Sequence, residues 1–137
     1  MSTLAVGTIK SADSAAPVIQ NSSGTEIGKF IKAWINFDGY GASIRGSFNI
    51  SSVTDNGTGD YTFIIDNDFP DVNYCWVGTA TTATGTESTM RNIAFSSSSS
   101  STSNSAHLAT QTRVSVATQN SGANLHDARQ VMVQWIR

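Results

Sequence analysis

Charge is scarce in this chain. Only 13% of its 137 residues are Asp, Glu, Lys or Arg, against about 25% in ordinary soluble domains. Ten acidic residues face eight basic ones, and Lys10, Lys29, Lys32, Arg45, Arg91, Arg113, Arg129 and Arg137 are scattered. Nothing in this pattern offers a phosphate backbone a basic stripe, so nucleic acid is not an expected partner. The lone cysteine, Cys75, excludes an intrachain disulfide. No apolar run approaches the roughly 20 residues of a membrane helix. The opening MSTLAVGTIKS has neither the basic nor the apolar region of a secretion signal. Helical periodicity is missing as well: no segment sustains it.

What is present instead is alternation. Ile31, Ala33, Ile35 and Phe37 fall on one face of FIKAWINF, with Phe30, Lys32, Trp34 and Asn36 on the other. DGYG, from Asp38 to Gly41, reads as the turn to a second strand. In that strand Ala42, Ile44, Gly46, Phe48 and Ile50 form the face expected to be buried. The period slips at Ser51 and Ser52, which predicts a bulge or a new strand. DNGTGD is the next turn, and Tyr61, Phe63 and Ile65 resume the alternation. VNYCWVGTA is apolar on both faces, with Tyr74 and Trp76 on one and Cys75 and Val77 on the other. Such a strand is expected either in the centre of a covered sheet or at a subunit interface. STMRNIAF is a weaker strand, HLATQTRVSVAT alternates from Leu108 to Val116, and RQVMVQWIR, with Val131, Val133 and Trp135 opposite Met132, Gln134 and Ile136, closes the chain. About seven short strands predict an all-β fold, an antiparallel β-sandwich of jelly-roll-like type. At this size it can bury a core without staples. Residues 1–26 read as an N-terminal arm with a short strand near Leu4 to Ile9, and residues 27–137 as the sandwich domain. Ser96 to Ser105 reads as a flexible loop.

Candidate chemistry is sparse. Asp66, Asp68 and Asp71 form the tightest acidic group, in reach of a glycosidase pair or a calcium site on paper. With no partner group in view they read as turn caps beside Pro70. His107 and His126 lack a neighbouring Cys or His at ligand spacing, and no GxSxG turn supports a serine nucleophile. Cys75, inside an apolar strand, reads as a buried and inert thiol. NSS, NIS and NGT match the glycosylation tripeptide, but they arise by chance in a chain this rich in Asn, Ser and Thr. No enzyme, metal or cofactor is expected. Tyr40, in its glycine-flanked turn, could stack on a sugar ring. With Ser97, Ser98 and Ser99 it makes a candidate exposed tip.

Five stretches carry a further signal: QNSSGTEIG from Gln20, KAWINF from Lys32, IRGSFNISSVTDNGTGDYT from Ile44, PDVNY from Pro70, and the terminal VQWIR. Together they resemble a domain of tail-fibre and virion structural proteins of bacteriophages, of the cyanophage and marine-phage type. Thr81 to Leu108 lies outside the resemblance. The resemblance implies a β-rich homotrimer on the virion surface and no catalytic residues. Tyr74 and Trp76 are then the candidate trimer interface. Lacking the shaft of a tail fibre, the chain is expected to be a capsid decoration (cement) protein bound to the major capsid protein, with host adhesion as a secondary role. The alternative is the distal tip of a tail fibre or tailspike that recognises a host cell-surface glycan.

Overall fold

A computed structural model of the chain describes residues 5–10, 17–81, 91–95, 107–118 and 124–137. The chain divides into two compact units, 1–30 and 31–137.

The first unit holds one short antiparallel hairpin, β1 (Ile19–Gln20) and β2 (Glu26–Gly28). Asn21 builds its turn: the side-chain Oδ1 accepts from the amides of Ser23 and Thr25 at 3.0 and 2.9 Å. Gly24 supplies the left-handed residue with φ +79°. The expected strand near Leu4 to Ile9 is not formed over the described residues 5–10, which are irregular. Strand pairing lies instead at 19–28, because Asn21 and Gly24 provide the turn chemistry that the earlier stretch lacks.

The second unit is a sandwich of two four-stranded antiparallel sheets. One contains β3 (Ile31–Asp38), β4 (Ser43–Phe48), β7 (Cys75–Ala80) and β10 (Val131–Ile136), in the order β4-β3-β10-β7. The other contains β5 (Ile50–Gly57), β6 (Asp60–Ile65), β8 (Arg91–Phe95) and β9 (Gln111–Thr118), in the order β5-β6-β9-β8. No helix occurs among the described residues. The hairpins β3-β4, β5-β6 and β8-β9 stay within one sheet; the other connections cross between sheets.

Inward positions of the four central strands make the core: Ala33, Ile35 and Phe37 from β3, Val131, Val133 and Trp135 from β10, Tyr61, Phe63 and Ile65 from β6, and Val114 and Val116 from β9. Phe37 meets Tyr61 edge-on at 5.0 Å, and Phe63 meets Trp135 edge-on at 5.9 Å. These aromatic pairs bind one sheet to the other, each adding about 0.5–1.5 kcal/mol beyond its buried area. A buried polar chain threads the same space. Trp135 Nε1 donates to Thr112 Oγ1 at 3.1 Å, Thr112 and the Tyr74 hydroxyl are 2.8 Å apart, and that hydroxyl donates to Leu108 O at 3.0 Å.

The chain turns the corner from one sheet to the other at Asn49, just before the slip at Ser51 and Ser52. Asn49 adopts φ +57° between β4 and β5, and the register shifts between Ile50 and Ser52. Its amide holds the corner, with Oδ1 accepting from the Asn67 amide at 2.7 Å and Nδ2 donating to Lys32 O at 3.0 Å.

Three expectations need correction. Of the two settings expected for VNYCWV, the centre of a covered sheet is excluded: β7 is an edge strand, and Cys75 and Val77 are exposed. Sequence alternation shows which residues share a face but not what covers it. The Ala42 to Phe48 part of the next strand's face is not core either; Ile44 and Phe48 are exposed, since β4 lies at the sheet's other edge, while Ile50 of β5 packs against the core. Ile31 is exposed where Ala33, Ile35 and Phe37 are buried, because the pairing with β10 shifts between Trp135 and Ile136.

At one end of the sandwich Asp127 Oδ1 accepts from the Tyr61 hydroxyl at 2.7 Å and from the Gly59 amide at 2.8 Å. Burial, with this carboxylate beside it, pushes the Tyr61 phenol far above its ordinary 10.0. Burial also raises Tyr74. With folded values above unfolded ones, the unfolded chain loses these protons first, so the contribution is full below about pH 10 and is lost as pH rises. The melting temperature should therefore fall steeply above about pH 10, and Tyr61→Phe should flatten part of that slope. A wild-type melting temperature that stays level to about pH 12 contradicts this.

Candidate functional site

The outer face of the β4-β3-β10-β7 sheet carries a groove. Register places Trp34 of β3 opposite Gln134 of β10, and Gln134 opposite Val77 of β7. The next outward row is Asn36, Met132 and Thr79. Together they line an open groove of about 450 Å³, within the usual range of small-molecule sites. Trp34 reaches sideways over Gly46 of β4: a Cβ built on Gly46 would lie 3.3 Å from the indole. The missing side chain lets the ring lie low along the sheet, with the Trp34 residue still 41% exposed.

Among the described residues no charged side chain lines the groove. Its polar groups are the amides of Asn36 and Gln134 and the hydroxyl of Thr79. Asn36 Oδ1 is buried and has no hydrogen-bond partner, a condition that costs about 1–3 kcal/mol. The arrangement can bind a neutral molecule with one apolar face and several hydroxyls; its described lining residues include no nucleophile with a base and no acid pair.

The residues singled out from the sequence are placed differently. Tyr74 is 7% exposed, packed against Phe69 and bonded to Thr112. It is spent inside the chain's own core, which leaves little of its ring to meet another copy. Trp76 is half-buried, packs against that core, and meets Phe95 at 4.7 Å, so its ring is also largely engaged within the chain. Tyr40 is exposed in the turn after β3, where its amide and that of Gly41 donate to Asp38 Oδ1 at 3.1 Å. Arg45 pairs with the same carboxylate. Ser97, Ser98 and Ser99, with the rest of the serine loop to Ser105, lie outside the described residues.

The acidic group does not converge. Asp71 accepts two bonds from Arg137, at 3.0 and 2.5 Å, which hold its carboxyl below the ordinary 3.8. Among the described residues no three His, Cys, Asp or Glu side chains gather as ligands for an ion. His107 Nε2 is 2.7 Å from Val72 O and its Nδ1 has no hydrogen-bond partner, so no carboxylate orients this ring. Cys75 is exposed rather than buried.

Sequence reasoning missed the groove because its two halves stand far apart in the chain. Trp34 and Asn36 were visible as the second face of one strand, and Met132 and Gln134 as the second face of another. Only the pairing of β3 with β10 sets them side by side. Compared with family models, curated proteins and solved structures, the chain matches none.

Proposed function

We propose that the protein is a non-enzymatic structural component of a bacteriophage particle, a homotrimeric decoration protein on the capsid exterior anchored by residues 1–30. The observation that carries the anchoring is the first unit. Val6, Ile9, Val18 and Ile27 are all exposed, on a segment whose strands are two and three residues long. An isolated hairpin of that kind is marginal in water, and its apolar side chains gain by covering against another chain. Its free backbone groups can add to a neighbour's sheet edge. The virion setting rests on the resemblance carried by the stretches from Gln20, Lys32, Ile44 and Pro70. For the trimer, the support is the β4 edge, where Ile44 and Phe48 are 41% and 55% exposed. A closed three-fold ring covers such a strip without leaving a growing end. Binding only the assembled shell, many copies would raise its stability by mass action.

A second reading, the glycan-recognising tip of a tail fibre, is favoured by the groove on the outer sheet face. The separating experiment mixes purified capsids with the full chain and with a version lacking residues 2–30. The expected outcome is that the full chain binds and raises the shell's melting temperature, while the shortened chain stays folded and does not bind. Sedimentation should report a trimer for the full chain. If neither version binds capsids, the decoration reading fails and the tail-fibre tip replaces it.

A further inference from the structure

We infer that the groove between β3, β10 and β7 is a binding site for a neutral saccharide, with Trp34 as its stacking platform. A pyranose ring has one face of C–H groups and a rim of hydroxyls. The groove matches both. Trp34 supplies a half-exposed aromatic face, held low over Gly46. Asn36, Gln134 and Thr79 supply hydrogen-bonding groups on the two rows beside it. Val77 and Met132 complete an apolar floor and wall.

Two observations narrow the class. Asn36 Oδ1 is an acceptor without a partner, and the terminal torsion of an asparagine turns easily, so a ligand hydroxyl can satisfy it. Among the described residues no charged side chain lines the groove, so none of them offsets the desolvation of a carboxylate, sulfate or phosphate. Acidic sugars are therefore disfavoured and neutral hexose or pentose units fit.

A second copy of the chain is the competing occupant, and area argues against it. Trp34, Val77 and Phe48, which lies opposite Trp34 on β4, are 41%, 50% and 55% exposed, which amounts to apolar surface on the order of 300 Å². A stable subunit interface takes about 800 Å² from each partner. The groove suits something the size of a few sugar rings.

The inference rests on the reading that this sheet face is displayed to solvent, and its test is kept separate from capsid binding. The isolated full-length protein is titrated with neutral oligosaccharides (gluco-, manno-, galacto- and xylo-oligomers) and with sialylated and sulfated ones. Intrinsic fluorescence and calorimetry are the readouts. At least one neutral series should bind with a dissociation constant near or below about 1 mM. Trp34→Ala should weaken it at least tenfold and Trp34→Phe much less, with the melting temperature unchanged. Gln134→Ala should weaken it with the fold intact, which guards against a loss caused by misfolding of the Trp34 variant. The inference is overturned by any of three results: no neutral series binds at about ten times that concentration, binding survives Trp34→Ala, or Trp34→Ala instead dissolves a self-associated species. Success or failure on capsids leaves each of these results unchanged.

Discussion

Replacing Gly59 with alanine should cost about 4 kcal/mol or more and leave little folded protein, a loss reserved for a few named mechanisms. Two of them act here at once. Gly59 has φ +65°, where a Cβ adds about 1–2 kcal/mol. That Cβ would also lie 2.6 Å from both the His126 amide nitrogen and the Val116 carbonyl oxygen. Neither is a side-chain tip that can rotate aside. Relief requires moving Gly59 away from both β9 and the 126–127 backbone, and three hydrogen bonds hold these segments together. Val116 N donates to Gly59 O at 2.7 Å, His126 N to Val116 O at 3.0 Å, and Gly59 N to Asp127 Oδ1 at 2.8 Å. The neighbouring Gly57 is the control. Its φ is +127°, but nothing lies within 4 Å of a Cβ there, so Gly57→Ala bears only the conformational cost of about 1–3 kcal/mol. Urea midpoints for the two variants and wild type decide the matter. If Gly59→Ala unfolds no earlier than Gly57→Ala, the close approach is not rigid and the argument is wrong.

The contrast between these glycines marks where sequence reading stops. DNGTGD announced a turn, and the turn is where it was read: β5 ends at Gly57 and β6 begins at Asp60. Alternation likewise grouped the residues that share a face in β3, β6, β9 and β10, Ile31 excepted, and one such face is buried in each because those strands are central. What the local pattern could not hold was pairing. Whether Ile44 and Tyr74 face solvent or core depends on which strand becomes the sheet edge and which loop folds over the end. Tyr74 is buried because it precedes β7 and reaches Thr112 on β9, a residue of the opposite sheet. The groove is a product of pairing too, since Trp34 meets Gln134 only through the register of β3 with β10. Asp127 is the same kind of case. It stands in an unremarkable loop by sequence, yet it ties Tyr61 and Gly59 together at the sandwich end.

Trp135 and Trp34 offer the second test, because the same substitution on the two tryptophans should give opposite results. Trp135 is fully buried on β10, between Ala33 of β3 and Trp76 of β7 in the sheet register. Across the sandwich it meets Phe63 edge-on, and its Nε1 donates to Thr112 Oγ1. Trp135→Ala removes the largest side chain of the core and leaves a cavity bounded by both sheets, so it should cost about 3–5 kcal/mol. Trp135→Phe keeps much of the apolar volume and loses the indole donor. Thr112 still has the Tyr74 hydroxyl as a partner, so the loss should be smaller, about 1–3 kcal/mol. Trp34→Ala, on the exposed outer face, creates no cavity and should stay within about 0.5 kcal/mol of wild type. Denaturant midpoints at constant slope measure all three. The ordering expected is Trp135→Ala lowest, then Trp135→Phe, then Trp34→Ala beside wild type. A Trp34→Ala variant as unstable as Trp135→Ala would mean that the outer face is packed, either by the rest of the chain or by another copy. That single result would remove both the groove and the saccharide it is inferred to hold.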